Sequence, residues 1–152
     1  FSNSDFSYSD FRNSDFSNSN FRNSNFYKSN FRDSNLSDSK FNYKITPTER
    51  KFIGWKKLDN KIIKLEIQNP DNVSGGFVGR KLRTNKVKVL EIQDLDGKKL
   101  KDKKIASSYD SSFIYKVGKI IEEPSYVHDD KIECTYGIHF FLTRSEAVEY
   151  QV

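Results

Sequence analysis

Residues 1–41 read FSNSDFSYSDFRNSDFSNSNFRNSNFYKSNFRDSNLSDSKF, and the spacing in this stretch decides how it folds. Phe1, Phe6, Phe11, Phe16, Phe21, Phe26, Phe31, Leu36 and Phe41 stand five apart without a slip. Two residues before each of them, from Phe6 onward, stands a serine: Ser4, Ser9, Ser14, Ser19, Ser24, Ser29, Ser34 and Ser39. Asp or Asn fills the position between, until Lys40 ends the pattern. A helix scatters residues five apart around its circumference, and a simple strand repeats every two. A coil that turns a corner every five residues fits instead. Each apolar side chain then points to the axis, the small Ser lies beside it, and the other three positions face water. Stacked coils satisfy one another's backbone groups at the strand spacing of about 4.8 Å.

The unit Ser-Asp/Asn-Phe-x-x resembles the pentapeptide-repeat family. The resemblance implies a right-handed quadrilateral β-helix with four repeats per coil. Residues twenty apart then lie one above another: Phe1 over Phe21, Phe6 over Phe26, Phe11 over Phe31, and Phe16 meeting Leu36. Arg12 falls over Arg32 on one face, with Arg22 opposite. Eight repeats make two coils, about 10 Å tall, and stacks so short rarely bury a continuous core alone. Phe1 begins in register and the chain holds no Met. The expectation is therefore a fragment with further coils before residue 1, or a coil end that packs on another subunit. An open coil end is an unpaired β-edge, hence a natural polymerisation surface.

Composition sets the outer bounds. The chain has 152 residues, 35% hydrophobic and 31% charged, with 13 Phe and one Cys. No apolar run reaches the roughly 18 to 20 residues of a membrane helix, so no membrane span is expected. No secretory leader is visible. Residues 1–40 balance five acidic against five basic side chains, so the net charge of +5 belongs to the remainder, where 21 Lys and Arg face 16 Asp and Glu. Such a bias suits nucleic acid, an acidic partner or solubility. The lone Cys134 excludes an internal disulfide framework and fits a reducing compartment.

After Phe41 the period stops. The expected organisation is a repeat β-helix over 1–42, a linker over 43–50 containing Pro47, and a small α+β domain over 51–152, mainly β overall. Alternation and β-rich composition predict strands at Lys51–Lys56, Lys61–Gln68, Lys86–Gln93, Phe113–Ile121 and Tyr136–Leu142. Asn69–Gly79 reads as a turn-rich loop and Asp94–Lys104 as a hairpin or loop around Asp96-Gly97. Thr143-x-x-Glu146 is a capping box that opens a short helix through Tyr150.

Four segments of this domain form a set: FIGWKK at 52–57, GRKLRTNKVKVLEI at 79–92, FIYKVGK at 113–119 and CTYGIHFFLTRSEAVEY at 134–150. Together they resemble an uncharacterised domain attached C-terminally to pentapeptide repeats in large DNA viruses and some phages. The resemblance implies a viral setting and no established activity. The Lys-, Asn- and Ile-rich composition is compatible with an AT-rich genome.

Catalytic candidates are few. GIHFFLTRSEAVEY is similar to the segment lining the nicotinamide pocket of ADP-ribosyltransferases, matching at Gly137, Ile138, Phe140, Ser145 and Tyr150, with His139 in place of a Tyr. No upstream His-Gly pair and no later acidic strand residue accompany it, so a strand-turn-helix with Phe140 or Phe141 in the core is the simpler expectation. His128, Cys134 and His139 lack the fourth ligand and spacing of a closed zinc site, and a Cys134–His139 pair has no orienting acid. GGFVGRK at 75–81 is no phosphate loop, because a Walker motif places four residues between its glycines and then Lys-Ser/Thr. No catalytic set, metal site or cofactor is expected.

Candidate binding residues are Trp55, Lys56 and Lys57, with Arg80, Lys81 and Arg83 in a basic run that continues through Lys86 and Lys88. Cations beside an aromatic can grip phosphates and stack a base. Lys86 and Lys88 alternate with Val87 and Val89, however, as on a solvated face of a half-buried strand. The expected function is a non-enzymatic structural protein of a large DNA virus, a virion or assembly component, located in the virion or the host cytoplasm. Its β-helix would serve as a docking rod, and its partners would be other protein subunits or further copies through the coil end. The alternatives are a degenerate ADP-ribosyltransferase-like enzyme and a nucleic-acid-binding module.

Overall fold

Each repeat makes its corner from the same parts. The Phe carbonyl accepts from the Ser amide three residues on: Ser9 N to Phe6 O at 3.2 Å, Ser19 to Phe16 at 3.1 Å, Ser34 to Phe31 at 3.0 Å. The third residue of that turn is left-handed, with φ near +57° at Asn3, Tyr8, Asn13, Asn18, Asp33 and Asp38. This is the signature of a type II turn, and it explains why Asn and Asp recur there. Asp5, Asp10, Asp15, Asn20, Asn30 and Asn35 each supply a side-chain oxygen that accepts from the amide two residues on, as Asp5 does from Ser7 at 2.9 Å and Asn30 from Arg32 at 3.0 Å. A computed structural model of the chain describes residues 1–22, 24, 26, 29–40, 46–47, 50–75, 80–101, 104–107, 110–129 and 135–151. The expected linker lies mostly outside the described residues, as do Phe41 and Cys134.

Successive coils run parallel and twenty residues apart. Bridges join Asp10 to Asn30, Asp15 to Asn35 and Asn20 to Lys40. Their backbone bonds are short: Phe11 N to Asn30 O, Phe16 N to Asn35 O and Phe21 N to Lys40 O are each 2.8 Å. The serines add a second tie. Ser24, Ser34 and Ser39 donate through Oγ to the carbonyls of Phe1, Phe11 and Phe16, all at 2.7 Å. On the axis Phe1 stacks on Phe21 at 5.3 Å, Phe6 on Phe26 at 5.3 Å and Phe11 on Phe31 at 4.8 Å. Neighbours within a coil meet edge to face, Phe11 against Phe16 at 5.2 Å and 89°. Vertical stacking and in-plane edge contacts are both favourable arrangements for aromatic quadrupoles. Phe21, Phe31 and Leu36 are buried, whereas Phe1 stays 62% exposed. Arg12 turns to Asp10, 2.7 Å away, and Arg32 lies 3.5 Å from Asp33.

The chain divides into two compact units, one built on the repeats and the other comprising Thr46–Ser74, Leu82–His128 and Thr135–Val152. In chain order the described elements are β1 (Phe52–Leu58), β2 (Lys61–Ile67), β3 (Val73–Gly75), β4 (Leu82–Thr84), β5 (Lys86–Asp94), β6 (Lys104–Ala106), β7 (Ile114–Lys116), β8 (Ile120–Glu122), β9 (Ile138–Phe140) and α1 (Arg144–Glu149). The protein is mainly β. A four-stranded sheet has the order β1-β2-β5-β8, a three-stranded one β3-β4-β9, and β6 pairs with β7. The pairings β1–β2, β2–β5, β4–β9, β5–β8 and β6–β7 are antiparallel, in contrast to the coils.

The four-stranded sheet follows from alternation. Leu65, Ile67, Val87 and Val89 are fully buried on one face, while Lys64, Glu66 and Lys88 alternate onto the other. Gly54 sits on the buried face because Phe140 fills the space above it: a Cβ there would stand 2.5 Å from Phe140 Cδ2. The chain after β9 joins the β1 edge through paired bonds between Trp55 and Phe141, at 2.8 and 2.7 Å. The other face is covered at one end by α1, where Ile62, Phe141 and Ala147 cluster with Trp55, Val148 and Tyr150.

The elements differ from the sequence expectation in several places. The strand expected over Phe113–Ile121 is two short strands, β7 and β8, because Gly118 takes φ +85° in a turn between them. β3 occupies part of the expected loop 69–79, β4 and β6 were not anticipated, and the strand expected over Tyr136–Leu142 narrows to β9. The turn at Asp96-Gly97 is present, with Asp94 N bonded to Lys98 O at 3.0 Å. Thr143 caps α1 by accepting from Glu146 N at 3.3 Å, and Tyr150 is its C-cap rather than its last turn.

Candidate interaction surfaces

The basic and aromatic residues do not converge. Trp55 and Lys57 lie on the α1 face of β1, and Lys56 lies on the other. Lys57 Nζ donates to the carbonyls of Val148 at 3.0 Å and Tyr150 at 2.9 Å, holding the C-terminal end of α1. A cation at that end also suits the helix dipole. Lys56 Nζ donates to His139 O at 3.2 Å and lies 5.9 Å from the Tyr115 ring centre. Trp55 carries Lys64 above its ring at 5.5 Å.

Arg83 departs most from expectation. Its place in the basic run suggested a solvent-facing cation, yet it is only 1% exposed. Nη1 donates to Val127 O at 2.9 Å and Tyr136 O at 3.2 Å, so the guanidinium ties two separate segments together. A side chain engaged in this way cannot reach a phosphate at the surface. Arg80 is exposed and Lys81 half-buried. Lys86 pairs with Glu122 at 3.3 Å. Arg83 and Lys86 thus serve the fold, and the run does not act as one continuous surface patch.

The GIHFF segment forms β9 and leads through Phe141 and Leu142 into α1. Ile138 and Phe140 are buried, and the rings of Phe141 and Tyr150 lie 5.2 Å apart in the α1 cluster. These aromatics build the core. Among the described residues no group of three or more His, Cys, Asp or Glu could hold a metal ion. No described helix is long and apolar enough to cross a membrane.

Burial perturbs one further group in this unit. Desolvation pushes the Tyr115 hydroxyl well above its ordinary range, with the nearby Glu123 charge adding to the shift. Glu91, by contrast, is held below the usual carboxylate range, chiefly by a hydrogen bond from Lys99 and next by one from Gln93.

Two arrangements were invisible in the sequence. Tyr126 Oη donates to the buried Ser74 Oγ at 3.0 Å and lies 3.3 Å from His128 Nδ1, linking residues over fifty positions apart. Nothing periodic marks such a chain. The second is the open part of the four-stranded sheet. There the register sets Ile53 beside Glu66, Glu66 beside Lys88, and Lys88 beside Ile120, one row across all four strands. In the next row Trp55 stands beside Lys64 and Lys64 beside Glu91.

Comparison with known families bears on both units. Eight copies of the pentapeptide repeat match residues 1–41, and the family of unknown function DUF5758 matches residues 41–147. The chain belongs to DUF5758. The match covers the second unit's sheets and most of α1, so the repeat-plus-domain arrangement expected from the sequence is the one present. No curated protein and no solved structure matches the chain. DUF5758 membership assigns no activity, and the residues described above carry the functional question.

Proposed function

We propose that this DUF5758 chain is a non-enzymatic structural and interaction protein of a large DNA virus, a component of the virion or of an ordered assembly. In this proposal the repeats form a right-handed quadrilateral β-helix used as a docking rod. The observation that carries it is the way the repeat engages its own chemistry. Ser hydroxyls donate to the carbonyls of the coil below, and Asp and Asn carboxamide or carboxylate oxygens accept within their own turns. What results is an element with a repeating polar wall whose described side chains bond within it. In the second unit the aromatics that could have lined a nicotinamide site serve as core, which favours a scaffold over an ADP-ribosyltransferase. The interior position of Arg83 removes a central cation from the nucleic-acid alternative. Peptide mass spectrometry of purified particles and of infected-cell cytoplasm tests the proposal. The chain is expected in particles at structural stoichiometry, and its absence from them would sink the virion role.

A further inference from the structure

The positive charge is more localised than its assignment to the second unit conveys. Between Lys98 and Lys119 seven Lys stand against Asp102 and Asp110, a net of +5, and the rest of the chain sums to zero. Asp102 and Lys103 lie outside the described residues, and the fold gathers the other lysines. The segment leaves the edge of β5 away from β2 where Leu100 N donates to Ile92 O at 2.9 Å. It returns where Gly118 N donates to Val89 O at 2.8 Å. Departure and return are thus three residues apart along β5, about 10 Å. Between them rises the β6–β7 hairpin, with Lys104 and Lys116 at its base. At its tip the Asp110 carboxylate accepts from Ser112 N and Oγ.

The hairpin has an anchored face and an open one. Tyr115 is 3% exposed, with Phe113 at 5.5 Å and Lys56 Nζ at 5.9 Å from its ring. The alternate residues Lys104, Ala106, Ile114 and Lys116 are exposed. On that face the register sets Lys104 directly opposite Lys116. Like charges so placed, with Cβ atoms about 5 Å apart, work against the fold. Lys119 joins them: its amide donates to Lys116 O at 3.0 Å in a turn with Gly118 at φ +85°, which keeps the two Cα atoms within about 7 Å. Among the described residues no carboxylate pairs with Lys104, Lys116 or Lys119, whereas Lys99 turns to Glu91 at 2.8 Å.

We infer that the lysines at this hairpin base dock the phosphate backbone of a nucleic-acid duplex, without regard to base sequence. A duplex carries one negative charge per about 1.7 Å of its axis, so a patch about 10 Å long meets several phosphates at once. A partner of that charge density relieves the repulsion between facing lysines. Every cation in the segment is Lys, a point charge on a flexible stem that needs no fixed bidentate geometry. Tyr115 turns inward and Phe113 packs on it, so the described open face lacks the stacking platform that single strands use. To a membrane the face presents one half-exposed Ile114 above a polar tip, short of the apolar face that interfacial binding requires. The site is separate from the run Arg80–Lys88. It uses the second unit alone and does not rest on the virion reading.

Fluorescence anisotropy of labelled DNA and RNA duplexes of mixed sequence, each about 24 base pairs, titrated with the whole chain at about 50 to 300 mM salt, provides the test. Binding is expected in the range of roughly 10⁻⁴ to 10⁻⁶ M near physiological salt, with log K falling against log salt at a slope of about −4. Binding to either duplex supports the inference, and the tighter one names the source of the phosphates. Lys104→Gln combined with Lys116→Gln is expected to weaken binding at least about tenfold at low salt and to make the slope shallower by about two. Losing a repulsive pair should leave the melting temperature no lower than native. Arg50→Gln combined with Lys51→Gln makes the same change in charge at exposed positions elsewhere, and affinity should move by less than about twofold. Should the hairpin pair unfold the chain, Lys101→Gln with Lys119→Gln repeats the experiment. No binding to either duplex at about 50 mM salt overturns the inference. So do equal losses from the hairpin and control pairs, or tighter binding to a single strand of the same length. A preference for phosphatidylserine vesicles or polyglutamate over both duplexes overturns it too, making the partner a membrane or an acidic protein.

Discussion

Phe31 and Phe1 hold the same position in the repeat, yet their energetic roles differ because burial differs. Phe31 is 3% exposed and stacks on Phe11, while Phe1 is 62% exposed. Phe31→Ala should destabilise the coil by about 3–5 kcal/mol, the cost of an aromatic core truncation. Phe1→Ala should cost well under half of that, and urea titrations of the two variants compare them directly. Gly54 is the opposite kind of site, full rather than empty. Gly54→Ala drives a methyl into Phe140, and the expected loss is about 1–3 kcal/mol, read as a fall in melting temperature. A larger residue at Gly118, where nothing lies within 4 Å, meets backbone strain and no clash.

At the scale of elements, the β1–β2 hairpin turns at Asp59 with φ +51°. Asp tolerates that conformation better than most residues, and glycine adopts it freely. Asp59→Gly is therefore expected to be neutral or slightly stabilising, and Asp59→Val to cost about 1–2 kcal/mol. Thermal melts that rank the two the other way would contradict the turn geometry. The same scale shows how far the sequence could be read. Elements with strict periodicity were legible: the five-residue repeat, β2 through Ile63, Leu65 and Ile67, β5 through Val87 and Val89, and α1 from Thr143. The three-residue strands β3, β4 and β6 were not, since three residues cannot display a period. Gly118 was visible, but whether a glycine interrupts a strand or continues it depends on the partner strand. The surface was harder still. Arg83 sits among cations in sequence, and only the carbonyls of Val127 and Tyr136, more than forty residues away, explain its burial. The row from Ile53 to Ile120 exists only once four strands are in register.

For the whole molecule, stability should be bounded in pH on both sides. On the alkaline side the Tyr115 hydroxyl ionises less readily folded than unfolded, because burial opposes its charge. Its contribution is complete below the unfolded value of about 10 and declines as pH rises beyond it. Tyr115→Phe should flatten that alkaline decline in denaturant titrations. On the acid side the order is reversed. Glu91 with its Lys99 partner, and Asp10 beside Arg12, bind protons less readily folded than unfolded. Their contribution is present above about pH 4 and falls as pH drops through the folded values. Lys99→Gln should shift the acid midpoint upward through Glu91.

The coil's two vertical ties, the bridge from Asp10 to Asn30 and the serine bond from Ser34 to Phe11, span twenty and twenty-three residues, and both depend on a twenty-residue turn. Length in this part of the molecule is thus quantised. An insertion of one residue throws every later Phe off the axis. An insertion of five keeps each side chain's role but changes which neighbour it finds on the next level. Only a multiple of twenty preserves role and neighbour together, so a stack of this kind grows or shrinks by whole storeys.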